Sequence, residues 1–199
     1  LKAWERKGDL TIDLFDSKRI RRLGFYAEGL MEYLLRNHPR FKLLAANRQV
    51  IEHGATLGEL DFVFKDLQLN QIIHLELAVK FYLKLPEVNG LEGFVGLNRN
   101  DTLARKWEKM KSIQLNPPPS WFKDVPGLGG QIPASIPCFK GRLFYQGPIV
   151  DHPEINPNHA HGQWIKNESA MVDSAAFCHK LSWLSGVDPA RRDFPQVAY

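Results

Sequence analysis

"GELDFVF" at 58–64 and "HLELAVKFYL" at 74–83 decide the fold. Each is an apolar run with polar side chains at alternate positions, the period of a strand whose two faces meet different surroundings. In the first, Glu59, Asp61 and Val63 share one face and Leu60, Phe62 and Phe64 the other. In the second, His74, Glu76, Ala78 and Lys80 face one way and Leu75, Leu77, Val79, Phe81 and Leu83 the opposite way. The polar link "KDLQLNQ" between the runs is short, which predicts a hairpin or meander with Asp61 and Glu76 on one side.

Outward from this pair, "SKRIRRLGFYAEGLMEYLLRNHP" at 17–39 predicts a helix that Pro39 ends, with Glu28 and Glu32 on one face. "FKLLAANRQVI" at 41–51 suits an extended segment, and "EHGATLG" after it is turn material. Downstream, 85–100 reads as loop. "DTLARKWEKMKSIQL" at 101–115 predicts a helix with Asp101 as its cap, stopped by "NPPPSWF". "PGLGGQIPASIP" is irregular, "CFKGRLFYQG" at 138–147 predicts another strand, 151–167 a loop, and 168–184 a last amphipathic helix. No internal repeat or low-complexity tract is present. The expected class is α/β (α+β), a mixed sheet flanked by helices.

The chain has 199 residues, 44% of them hydrophobic, enough for one globular domain with a sizeable core. Its net charge of +4 is compatible with a polyanionic partner without requiring one. Cys138 and Cys178 are far apart and form no CxxC pair, so a reduced, cytoplasmic setting is expected. No apolar run approaches the ~20 residues that span a bilayer, and no membrane partner is expected. No secretory pattern precedes the first helix, though residues can precede Leu1.

Two carboxylates side by side repel unless a cation lies between them, and oxygen ligands at that density suit Mg²⁺ or Mn²⁺. A lysine on the same face can orient water or steady charge on a phosphate. Alternation alone describes an amphipathic hairpin with a wet face equally well. Asp and Glu are poor strand formers, however, so several of them at alternate positions ask for a reason.

The ordered motifs supply one. Glu28 in "FYAEGL", Asp61 in "GELDF", and Glu76 with Lys80 in "ELAVK" resemble the core of the PD-(D/E)XK nuclease superfamily. From about Leu23 to Leu184 the blocks "LGFYAEGLMEYLL", "GELDFVF", "HLELAVKFYL", "DTLARKWEKMKSIQL", "FKGRLFYQG" and "HGQWI" resemble a bacterial domain-of-unknown-function family, DUF1853, placed in that superfamily. The resemblance implies a restriction-endonuclease-like mixed central sheet with a loop-rich C-terminal extension. It implies one domain over 1–199, with a core of about 17–115 and an extension of about 116–199 packed on it. It implies a metal-dependent nuclease acting on nucleic acid, DNA before RNA. Asp61, Glu76 and the main-chain carbonyl of Leu77 would hold Mg²⁺ or Mn²⁺, Glu28 would face the acid pair, and Lys80 would orient the attacking water. Lys106 and Gln114 would touch phosphate. One spacing departs from the pattern: Glu76 and Lys80 are four residues apart with Ala78 between, ~13 Å of strand rather than the ~7 Å of acid-x-Lys. A bulge would shorten the gap. Failing that, the alternative is a non-catalytic nucleic-acid-binding or adaptor protein that keeps the fold. A third reading is a structural protein with an amphipathic hairpin.

Arg19 and Arg22, clustered with Lys18 and Arg21, suit phosphate binding by counterion release or a solvated charge run. His152, His159 and His161 lack the spacing and cysteine partners of a zinc site. Tyr82 reads as structural and His74 as lying at the edge of the acidic site. No P-loop, dinucleotide fingerprint or nucleophile elbow is present.

Overall fold

A computed structural model describes residues 23–98 and 100–165. Its elements are α1 (Leu23–Asn37), β1 (Phe41–Glu52), β2 (Ala55–Asp66), β3 (Gln71–Lys84), β4 (Phe94–Val95), α2 (Leu103–Lys109), β5 (Ala134–Tyr145) and β6 (His161–Gln163). The strands form a mixed six-stranded sheet of order β1-β2-β3-β5-β6, with β4 pairing to β3. The mixed α/β class and the existence of α1, α2, β1, β2, β3 and β5 agree with expectation. However, β2 begins at Ala55, inside the stretch read as turn, and β5 at Ala134, inside the stretch read as irregular, because pairing with neighbouring strands extends each beyond its apolar run. β4 and β6 fall in stretches read as loop; at two and three residues they are too short for alternation to register. The expected helix at 168–184, and Lys18, Arg19, Arg21 and Arg22, lie outside the described residues. Among the described residues no helix is long and apolar enough to cross a membrane.

The chain divides into two compact units. One runs to Val79 and resumes over Arg105–Lys140; the other takes Lys80–Ala104 and continues from Gly141.

In the first unit, β1 and β2 form an antiparallel hairpin closed by His53 and Gly54, both at positive φ (50° and 79°) between the pair Glu52↔Ala55. Two left-handed residues in a two-residue loop match the twist of the flanking strands, which is why a His-Gly pair suits this turn. β2 continues into β3 with the register Asp66↔Gln71 to Phe62↔Leu75. The side chain of Asp66 accepts the N–H groups of Gln68 and Leu69 and pins that second turn.

Two layers cover this part of the sheet. α1 supplies Leu35 and Met31 to a cluster with Phe62, Phe64, Ile73 and Leu75. The irregular segment after α2 supplies Phe122, Val125 and Leu128 to a second cluster with Leu60, Val63 and Ile72. Residues read as a wet face are therefore covered: Val63 and His74 have no exposure and Glu76 is 1% exposed. The sequence placed Leu60 with Phe62 on one face, yet Leu60 packs with Val63 and Phe62 in the opposite layer. Alternation thus breaks at Asp61. On β1, between the pairs Ala46↔Phe62 and Arg48↔Leu60, Asn47 has φ 47°.

In the second unit, β4 pairs with the end of β3 through Leu83↔Val95 and Lys84↔Phe94. β5 pairs in parallel with β6 through Leu143↔His161, Phe144↔Gly162 and Tyr145↔Gln163. Lys84 is buried, and its ammonium donates to the carbonyls of Leu85 and Val88. The indole of Trp164 donates to the Lys84 carbonyl at 3.1 Å. Gly141, at φ 145°, lets β5 pass close to the Lys80 carbonyl; a Cβ there would come within 1.7 Å of that oxygen.

Candidate active site

Asp61 sits where the β2–β3 ladder stops. The last pair of the ladder is Phe62↔Leu75, and one residue further the Asp61 carboxylate accepts the N–H of Leu77 at 2.7 Å. A side-chain oxygen thus replaces a main-chain acceptor, which leaves Asp61 beside Glu76, the residue before Leu77. The electrostatics record that closeness. Burial first, then the negative charge of Glu76, push the Asp61 carboxyl up from 3.8 to about 7, against the lowering effect of the Leu77 N–H; Glu28 and Glu59 push it further the same way. Glu28, half-buried on α1, is itself raised by burial and by the charge of Glu59.

Glu76 is held on both oxygens. His74 Nε2 lies 2.9 Å from Oε1, and Gln114 Nε2 donates to Oε2 at 2.6 Å. Behind these partners, His74 Nδ1 lies 3.0 Å from Ser135 Oγ, and Lys106 Nζ donates to Gln114 Oε1 at 2.9 Å. The edge of the His74 ring packs against Phe122 at 5.5 Å between centroids. Gln114 gets there through an irregularity. After Lys109 the helix widens over Met110–Gln114, and the Leu115 N–H bonds the Met110 carbonyl five residues back. One extra residue in a turn rotates the downstream side chains by about 100°, and wide turns of this kind are frequent at functional sites.

Of the expected site residues, Glu28, Asp61, Glu76, Leu77, Lys106 and Gln114 thus belong to one neighbourhood of the first unit. Lys106 and Gln114 were expected at phosphate; here Gln114 reaches Glu76 directly, and Lys106 lies one side chain behind it, on the Gln114 amide oxygen. Lys80 belongs to the second unit, where its ammonium meets Asp101 Oδ2 at 2.7 Å. The other Asp101 oxygen accepts from the Tyr82 hydroxyl at 3.2 Å. The bonds shown for the Asp101 side chain, expected at the helix cap, thus go to Lys80 and Tyr82. Tyr82 follows Lys80 by two residues, so plain alternation puts both on one face. Burial and the Asp101 charge push the Tyr82 phenol above its usual range. Arg19 and Arg22 lie outside the described residues.

Sequence reasoning missed Ser135, which carries no motif, and gave His74 only the edge of the site. Two of the C-terminal histidines have local partners. His159 bonds the Tyr145 hydroxyl and the Asn156 carbonyl, and His152 Nδ1 accepts the Glu154 N–H.

The donor set suits a small hard cation. Among the described residues no three His, Cys, Asp or Glu side chains are gathered to hold a metal by themselves. Mg²⁺, however, ordinarily takes one or two carboxylates and completes its shell with water. Asp61 and Glu76 are two such carboxylates, and the Asp61 carboxyl is raised first by burial and second by the charge of Glu76. Each Glu76 oxygen spends one acceptor site on its partner and keeps another.

The family comparison adds one fact. The model of a domain of unknown function, DUF1853, matches residues 1–195. The chain belongs to that family. The match spans every residue of this site, from Glu28 to Ser135. No curated protein and no solved structure matches the chain.

Proposed function

We propose that this DUF1853 protein is a metal-dependent nuclease of the PD-(D/E)XK superfamily, cytoplasmic, hydrolysing phosphodiester bonds in DNA in preference to RNA. The observation that carries the reading is the Asp61 carboxylate bonded to the Leu77 N–H where the β2–β3 ladder ends, beside Glu76. Asp61, Glu76 and the Leu77 carbonyl would hold Mg²⁺ or Mn²⁺. When bound, the ion would acidify an attacking water and offset charge building on the phosphate. Asp61 keeps one oxygen for the Leu77 N–H and has the other left for the ion. Glu28, on α1, would orient water from the helix side. Lys106, whose ammonium lies one side chain behind Glu76, would hold a phosphate oxygen. The water-orienting role of Lys80 rests on the sequence pattern.

A second reading is favoured by the Lys80–Asp101 pair: a lysine already matched to a carboxylate suits a nucleic-acid-binding scaffold that does not cut. One experiment separates the two. The full chain is incubated with Mg²⁺ or Mn²⁺ and single-stranded, duplex and branched substrates. Divalent-dependent cleavage that Asp61→Ala abolishes is the expected result. Absence of cleavage on every substrate, or cleavage that Asp61→Ala leaves intact, overturns the nuclease. Binding that persists without divalent ions and in Asp61→Ala supports the scaffold.

A further inference from the structure

We propose that His74 and Gln114 are positioning residues that hold the Glu76 carboxylate in one orientation for the cation, with Ser135 and Lys106 fixing those two in turn. The inference rests on the metal reading above and names the side chains that make its second carboxylate a preset ligand.

Burial sets the requirement. Glu76 is 1% exposed and His74 fully covered. A carboxylate withdrawn from water needs donors on its oxygens. Glu76 has one on each, an imidazole on Oε1 and an amide on Oε2. Neither is a permanent cation, so the charge is solvated without being neutralised. An Arg fork in the same place would occupy the carboxylate bidentately. Two single bonds instead clamp its plane and leave an acceptor site on each oxygen.

The outer pair removes the remaining freedom. An ammonium only donates, so Lys106 forces the amide oxygen of Gln114 toward itself and the NH₂ toward Glu76. An ionised carboxylate only accepts, so His74 directs an N–H from Nε2 to Glu76; a neutral ring then has a bare Nδ1, to which the Ser135 hydroxyl donates. The chain Ser135–His74–Glu76–Gln114–Lys106 therefore has one consistent direction at every bond. Its members come from β5, β3, the wide turn after α2, and α2 itself.

Mn²⁺ binding to the full chain, read by electron paramagnetic resonance or calorimetry, tests this beside thermal melting of each variant. Gln114→Leu keeps the volume and removes the donor. It is expected to weaken Mn²⁺ binding about ten- to a hundred-fold, the usual effect of removing a partner behind a metal ligand. Ser135→Ala, at a half-buried position that tolerates a smaller side chain, is expected to weaken it by less than about ten-fold. Nitrogen NMR of the metal-free wild type is expected to show the His74 proton on Nε2. A Gln114→Leu or Ser135→Ala variant that melts differently but binds Mn²⁺ as the wild type does overturns the inference and leaves the metal reading standing. So does a His74 proton on Nδ1. Should Gln114→Leu not fold, Ser135→Ala and the NMR spectrum still decide. A wild type that binds no Mn²⁺ overturns the metal reading, and the inference with it.

Discussion

Two aspartates five residues apart on β2 have opposite fates. Asp66 closes the β2–β3 turn under a bidentate Arg40 guanidinium, with Nε at 2.9 Å from both oxygens and Nη2 at 2.6 Å. Its carboxyl is held down at about 2, first by the Arg40 hydrogen bonds, with the Leu69 and Gln68 N–H groups adding to the effect against burial. Asp61 has a single N–H and three acidic neighbours, and is pushed up to about 7. The same side chain on the same strand is satisfied in one place and left in need in the other. Among the described residues an arginine reaches Asp66, whereas the hydrogen bond on Asp61 comes from a main-chain amide.

The comparison can be broken at several points. The largest effect is expected from Asp61→Asn in a Mg²⁺-dependent cleavage assay: a loss of at least about a hundred-fold. The amide still accepts the Leu77 N–H, so the loss would come from charge and not from shape. Removing the guanidinium at the other end, Arg40→Met, is expected to give the largest fall in Tm of the set, because it leaves Asp66 covered and unmatched. Mn²⁺ binding should be unchanged, and a loss of it would join two regions that the comparison keeps apart.

A smaller effect, of opposite sign, is expected for stability. Between pH 3.8 and about 7 the folded chain keeps a proton on Asp61 that the unfolded chain has released. Stability therefore falls as pH rises through that window. Asp61→Asn should accordingly melt higher than wild type at pH 8, by on the order of 2 kcal/mol, and the difference should vanish below about pH 4. Asp66 runs the other way: its contribution is in place above its ordinary value of 3.8 and is lost as pH falls toward about 2. Saturating Mg²⁺ should shrink the wild-type deficit at pH 8, and a denaturant series with and without the ion measures it. The smallest effect is expected for Glu28→Gln, which removes one of the weaker charges on Asp61. The Asp61 carboxyl should drop slightly in a carbon NMR titration, while the same variant leaves Asp66 where it is.

How much of this is legible in the sequence depends on distance along the chain. Alternation in "GELDFVF" and "HLELAVKFYL" locates β2 and β3 and puts Asp61 near Glu76, because a short link leaves two such strands little choice but to pair. The break in alternation at Asp61 is not legible. It accompanies Asn47 on the neighbouring strand, and nothing within β2 announces it. Gln114 stands out in the sequence for a different task, since the extra residue in the last helical turn changes its direction without changing its letter. Asp101 before "LARKW" has the form of a helix cap; its side chain goes to Lys80 and Tyr82, a choice made by tertiary contact over local propensity. His74 and Glu76 look like a solvated edge because polar letters suggest water. The layer that covers them comes from Phe122, Val125 and Leu128, in a segment with no periodicity to declare it.

The bond from the Leu77 N–H to Asp61 has a use of its own. An amide that donates to an ionised oxygen is bound more tightly than one that donates to a neutral acid. The resonance of this one main-chain proton should therefore move with the charge state of the acid beside it. The backbone carries a built-in spectroscopic probe, and occupancy of the neighbouring space can be followed in the unmodified chain, with no label and no substitution near the chemistry.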